Sequence, residues 1–323
     1  MRRRSKQALP IEIFAGAALL LAPFFVFGQN IPAAKPEPPE PSGEPVFSSE
    51  TRLVPLNVTV TDKSGRLITN LPQSAFQVFE NNIPQEIKVF KREDVPVSMG
   101  LIIDNSGSMR EKRQAVESAA LALVRESNPQ DEAFVVNFND EAYLDADFTS
   151  DIKEMERGLT KIDSRGGTAM REALRMSAEL LRSKAKRDKK VILVVTDGND
   201  NASTVSLEAL VREAQHDDVL VYAIGLLSEE EKKDARAAKR ALDLLVDSTG
   251  GQAFYPKDVS EVEKIAHEVA HDIRNQYTIA YTPTNTALDG TFRQVRVVVK
   301  SPGGLMARTR QGYYAVNKQA KKP

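Results

Sequence analysis

Two rhythms of apolar residues divide the chain. Val54, Leu56, Val58 and Val60 alternate with Pro55, Asn57, Thr59 and Thr61, a period of two that gives one apolar face to a half-buried strand. Asp62 to Arg66, reading DKSGR, supplies a turn. Shorter strands fit Ala75 to Glu80 and Glu86 to Lys91, with Asn81-Asn82 between them. The same pattern returns near the other end, where Tyr277, Ile279 and Tyr281 alternate and Val295, Val297 and Val299 follow a Leu-Asp-Gly turn at 288–290. A few short strands are marginal by themselves, so the two ends are expected to pair into one β-sandwich-like domain.

Between the ends, continuous apolar runs (Ser98 to Asp104, Ala133 to Phe138, Val191 to Thr196, Val219 to Ile224) alternate with helical stripes. Strands apolar on both faces and separated by helices predict a mostly parallel sheet covered on both sides. Val116, Ala119, Ala120 and Leu123 fall at i, i+3, i+4 and i+7, and Met170, Ala173, Leu174, Ser177 and Leu181 form a second stripe. Residues 143–147 read as an antiparallel edge strand, and no internal repeat occurs. The expected fold class is α/β: a Rossmann-like, doubly wound sheet over 93–275, with a small β-sandwich-like domain made by 48–92 and 276–316.

The 323 residues suffice for one large domain and a smaller one. With 41% apolar and 28% charged residues the chain can bury a core, which excludes global disorder. Lys+Arg 44 against Asp+Glu 45 gives a formal charge of −1, so nothing draws the chain toward nucleic acid. The absence of Cys removes disulfides, thiolate metal sites and cysteine nucleophiles. Arg2, Arg3, Arg4 and Lys6 precede an apolar run from Ile13 to Phe27, which reads as an export signal over 1–28 cut near Gly28/Gln29. The run is interrupted by Pro23 and falls short of the roughly 20 residues of a spanning helix. A secreted, periplasmic or cell-envelope protein without an integral membrane span is therefore expected. Its net charge would be −4, because the segment removes four basic residues and one acid. Residues 29–47 form a linker whose prolines between Pro32 and Pro45 favour an extended polyproline II spacer, and the lysine-rich 317–323 reads as a frayed tail.

The strand ending at Asp104 runs into Asn105-Ser106-Gly107-Ser108, so a carboxylate and two hydroxyls share one tight loop. Thr168, after Gly166-Gly167, opens another helix, and Asp197-Gly198 closes the strand Val191 to Thr196. In a doubly wound sheet such loops lie at the carboxyl ends of neighbouring strands, where ligands bind. The five donors Asp104, Ser106, Ser108, Thr168 and Asp197 are all hard oxygens, a set that selects Mg²⁺, Mn²⁺ or Ca²⁺ over zinc or copper. Gly107, Gly167 and Gly198 are expected to let the backbone approach the ion, Gly being free to adopt φ > 0.

In that order and context, these five residues resemble the metal-ion-dependent adhesion site of von Willebrand factor type A domains. The resemblance covers about 93–275. The flanks LNVTVTDKSGRLITNLPQSAFQVFENN, RNQYTIAYTPTN, DGTFRQVRVVVKS and RQGYY extend it to roughly 50–316 and are similar to a VWFA-related family of acidobacterial genomes. It implies that Ser106, Ser108 and Thr168 touch the metal directly, while Asp104 and Asp197 act partly through waters. A shell of mainly neutral hydroxyls leaves the ion electrophilic, so the implied partner is a protein supplying a Glu or Asp carboxylate. It also implies that the helix over about 258–274 could shift with the metal and reorient the β domain. The expected function is non-enzymatic binding.

A second motif competes. His267-Glu268-Val269-Ala270-His271 spells the H-E-x-x-H of helical zinc peptidases. No Glu follows Glu268, position 277 is Tyr, and Asp289 is the sole acid after Asp272. Val262, Ala266, Val269 and Ile273 mark the inward stripe of that helix, which sets His267 and His271 on the opposite face. Asp200 and Asn201 read as loop polarity, and His216 as a cation at a helix C-terminus.

Overall fold

The computed structural model describes residues 52–316, apart from 93, 127, 161–164, 199, 228–231 and 302. The export signal, linker and tail read over 1–28, 29–47 and 317–323 lie outside the described residues. In chain order, β1 (Val54–Thr61), β2 (Phe76–Glu80), β3 (Ile83–Gln85) and β4 (Ile87–Lys91) come first. The α/β part follows: β5 (Val97–Asp104), α1 (Arg113–Arg125), β6 (Glu132–Phe138), β7 (Ala142–Thr149), α2 (Ile152–Leu159), α3 (Met170–Lys184) and β8 (Lys189–Thr196). It continues through α4 (Leu207–His216), β9 (Val219–Gly225), α5 (Lys232–Thr249), β10 (Ala253–Phe254) and α6 (Val262–Arg274). The chain returns to strands with β11 (Tyr277–Tyr281), β12 (Phe292–Val299), β13 (Met306–Arg308) and β14 (Gly312–Tyr314).

The central sheet has the order β10-β9-β8-β5-β6-β7. All its ladders are parallel except the edge strand β7, which runs antiparallel to β6. Every residue of β5, β6 and β9 is buried, as continuous apolar runs require in a sheet covered on both faces. On one face Leu101, Ile103 and Tyr222 pack with Val116 and Leu123 of α1, Leu159 of α2, and Val262 and Val269 of α6. On the other, Ile102, Phe134 and Val194 meet Leu174 and Leu181 of α3, Leu210 of α4 and Leu242 of α5. Burying a side chain such as Phe134 or Leu101 stabilises the fold by about 1.5–3 kcal/mol. From β5 the chain proceeds to β6 on one side, whereas β8, β9 and β10 extend from its other side. The crevice between the carboxyl ends of β5 and β8 is thus a topological switch point.

Strands from both ends of the chain interleave in two four-stranded antiparallel sheets, β13-β1-β11-β4 and β14-β12-β2-β3. Leu56 pairs with Ile279 and Val297 with Val78, so neither flank completes a sheet without the other. The shared core holds Val54, Leu56, Val58, Val60, Phe76, Tyr277, Tyr281, Val295 and Tyr313. Within it the Tyr281 and Tyr313 hydroxyls both donate to Oε2 of buried Glu80, each at 2.8 Å.

The helix α6 joins the two parts through a buried carboxylate. Asp272, 5% exposed, accepts from Thr59 Oγ1 and Tyr222 Oη, each at 2.8 Å, and from the Arg308 guanidinium. Gln276 Nε2 donates to Thr59 Oγ1 at 3.0 Å and to Tyr222 Oη at 3.2 Å. One residue along, the Ile273 carbonyl accepts from the buried Lys189 ammonium. Burial pushes Lys189 down to about 8, against the nearby charges of Asp272, Asp94 and Asp131.

Two stability measurements follow from these buried groups. Tyr281→Phe deletes a donor to a buried carboxylate and lowers the unfolding free energy by about 1.5–3 kcal/mol, read from urea midpoints. Between about pH 8 and pH 10 the folded chain has released the Lys189 proton that the unfolded chain still holds, so stability rises with pH through that window. In Lys189→Met, which carries no proton there, urea titrations at pH 8 and pH 10 lack that rise.

Candidate metal-binding site

Asp104 ends β5 with its carboxylate 1% exposed. Oδ1 accepts the Ser106 backbone N–H at 2.8 Å, which curls the loop, and Oδ2 accepts Thr196 Oγ1 at 2.6 Å from the last residue of β8. The two strands flanking the switch point are therefore locked at their carboxyl ends. Ser106 is the N-cap of a short 3-10 turn, Gly107–Glu111, but makes no side-chain cap hydrogen bond. Its hydroxyl lies 3.2 Å from that of Ser108, which donates to Asp197 Oδ1 at 2.8 Å. Ordinary helix capping thus does not account for the two serines.

The loop before α3 is brought in by backbone bonds. Arg165 N–H donates to the Asn105 carbonyl at 3.1 Å and Gly107 N–H to the Gly166 carbonyl at 3.4 Å. Asn201 Oδ1 accepts Thr168 N–H at 2.9 Å, and the Thr168 carbonyl accepts from Asn201 and Ala202. Thr168, 5% exposed, has its Oγ1 3.6 Å from where a Cβ on Gly198 would stand. The fold thus brings together all five residues singled out in the sequence: Asp104, Ser106, Ser108 and Asp197 in one run of polar contacts, Thr168 beside Gly198.

The glycine expectation needs correction. None of Gly107, Gly167 and Gly198 has a positive φ; that conformation belongs to Gly166, at +77°. Gly167 serves close approach instead, since a Cβ there would lie 2.8 Å from Asn201 Oδ1 and 2.9 Å from Asp140 Oδ1. Asp140 Oδ1 also accepts the Gly167 N–H at 2.7 Å. Asp200 accepts from the Arg171 backbone and guanidinium and from Ser203, so it braces the loop.

Burial pushes Asp104 up to about 6, and the neighbouring charge of Asp197 adds to this against the hydrogen bonds from Thr196 and Ser106. Two carboxylates and two serine hydroxyls in one run of contacts, with the Thr168 hydroxyl beside Gly198, are the hard oxygens a divalent cation of the Mg²⁺ or Ca²⁺ kind takes. Among the described residues no group of three or more His, Cys, Asp or Glu could hold a metal; this donor set consists mostly of Ser and Thr. The sequence reading overlooked Lys112, whose Nζ sits 2.6 Å from Asp197 Oδ2, and Thr196. A lysine eight positions beyond Asp104 carries no local signal of its destination.

The H-E-x-x-H reading is not supported. His267 Nδ1 lies 2.7 Å from Glu126 Oε1, Glu268 is 4.0 Å from Lys264, and His271 is exposed. The inward stripe Val262, Ala266, Val269 and Ile273 is buried, which leaves the two histidines facing away from the sheet.

A family model described as von Willebrand factor type A domain matches residues 99–199. No curated protein matches the sequence. Among solved structures, proximal thread matrix protein 1 from the mussel byssus, with a zinc-occupied MIDAS motif, is 18% identical over 60% of this chain and 49% of that one, with a TM-score of 0.49. This chain thus spans about half the length of the mussel protein. A von Willebrand factor type A protein from Catenulispora acidiphila is 16% identical over 75% and 73% of the two chains, with a TM-score of 0.49. The vWF domain of the type V pili tip protein Mfa5 from Porphyromonas gingivalis is 14% identical over 56% and 97%, with a TM-score of 0.43. The family match falls on the strands and loops that carry Asp104, Thr168 and Asp197, so over residues 99–199 the chain is similar to von Willebrand factor type A domains.

Proposed function

We propose that the protein is an exported, non-enzymatic binding protein whose von Willebrand A domain holds one divalent cation, Mg²⁺ or alternatively Mn²⁺ or Ca²⁺, and through it an acidic residue of a protein partner. The observation that carries this reading is the run of polar contacts from Thr196 through Asp104 and Ser106 to Ser108 and Asp197 at the sheet's carboxyl rim. Ser106, Ser108 and Thr168 would supply neutral oxygens, and Asp104 and Asp197 the balancing charge. When bound, the cation supplies an electrophilic position for an incoming carboxylate. Access from outside is supported by the exposure of Ser108 at the rim, with Asp104 and Asp197 buried beneath it. Export is supported by the basic and apolar pattern of Arg2 to Phe27. No helix of the described residues is long and apolar enough to cross a membrane.

Isothermal titration of the protein with MgCl₂ is expected to give a single-site heat that Asp104→Ala abolishes; equal heats in both would reject the site. Because burial disfavours the Asp104 charge, Asp104→Asn in chelator is expected to melt above the wild type at pH 7.5. Added Mg²⁺ is then expected to raise the melting temperature of the wild type alone.

A further inference from the structure

Lys112 sits between two helical turns, as the C-cap of Gly107–Glu111 and the N-cap of α1, so the opposed helix ends do not by themselves direct its ammonium. Its position is explained by the carboxylate it reaches: Nζ lies 2.6 Å from Asp197 Oδ2 and 3.4 Å from the Leu226 carbonyl just beyond β9. The Asp197 side chain is 1% exposed, so its charge is answered by protein groups and not by water, with Ser108 on Oδ1 and Lys112 on Oδ2. The Lys112 side chain is 25% exposed, which leaves its ammonium a way out to solvent.

We infer that Lys112 is a built-in competitor for the cation site: its ammonium neutralises Asp197 in the metal-free protein, and loading exchanges that ammonium for a divalent cation. The inference rests on the reading of the five residues as a metal site. An ammonium 2.6 Å from Asp197 Oδ2 and a divalent cation held at the same buried carboxylate, directly or through a water, repel one another strongly. Lys112 must therefore leave Oδ2, and its stem, rooted four residues after Ser108, keeps the ammonium at the rim. Lys112 thereby weakens metal affinity below what the oxygen donors alone would give, and spares the metal-free protein an uncompensated buried charge. It acts on the metal through Asp197 and is a positioning residue.

The test is calorimetric titration of the full chain with MnCl₂, joined to melting curves in chelator and in Mn²⁺. Lys112→Met is expected to bind Mn²⁺ at least about tenfold more tightly than the wild type. It is also expected to melt lower in chelator, because Asp197 has lost its counter-ion, and to gain more from Mn²⁺. Lys112→Arg, which keeps the charge, is expected to stay near the wild type, and Lys112→Gln to follow Lys112→Met should the methionine variant fold poorly. If both neutral variants bind Mn²⁺ no more tightly than the wild type while Asp104→Ala abolishes binding, the exchange is wrong and the metal site stands. If no variant and no wild type gives a Mn²⁺ heat, the site reading fails and the exchange falls with it.

Discussion

A carboxylate held almost out of water at the end of the central strand governs the upper rim of this molecule. Asp104 lies where the sheet's connections part in opposite directions, and its two oxygens bind the Ser106 amide and the Thr196 hydroxyl. Those bonds fix the loop after β5 against the end of β8, and every other polar contact of the site is placed relative to them. A buried charge in that position carries a standing cost. Two neutral donors lower it without removing it, and burial still pushes the Asp104 carboxyl up to about 6.

Buried acids are answered locally at both ends of the sheet, by different means. At the carboxyl rim, two acids face one ammonium, from Lys112, and the hydroxyls of Ser106, Ser108, Thr168 and Thr196. At the opposite end, Asp272 is satisfied by Thr59, Tyr222 and Arg308, groups from β1, β9 and β13. The first arrangement has exposed Ser108 at its edge, whereas in the second Asp272, Thr59 and Tyr222 are buried and the Arg308 side chain, 26% exposed, reaches toward solvent. A shift of α6 along its axis would have to break the second, because Asp272 and Ile273 are both tied to neighbouring elements.

Strands with their own apolar signal were legible in the sequence, and those defined by their partners were not. The runs of β5, β6, β8 and β9 stand out because burial on both faces leaves no polar positions to interrupt them. The alternation in β1 and β11 likewise reports one buried face, and the pairing of the two flanks follows from it. By contrast β3, β10, β13 and β14 span only two or three residues and exist through ladders to strands distant in sequence. The five candidate site residues stood out because each ends a strong strand or lies in a loop beside a strong element. Lys112 was not, since its role depends on Asp197, 85 residues away, and the loop's positive φ fell one residue before the glycine expected to need it.

The interleaving of the flanks also sets how the protein responds to force. The whole α/β domain is inserted between β4 and β11, which are neighbours in one sheet. Tension applied between residues 52 and 316 would enter at β1 and β14 and reach the inserted domain through the contacts of Thr59, Arg310 and Gln311. A pull on the carboxyl rim of the central sheet would instead descend through the α/β domain and enter the sandwich at two adjacent strands. The two loads enter the fold at different strands, and the contacts that join them lie at Asp272, Asp218 and Ser248, away from the loops that carry Asp104, Thr168 and Asp197.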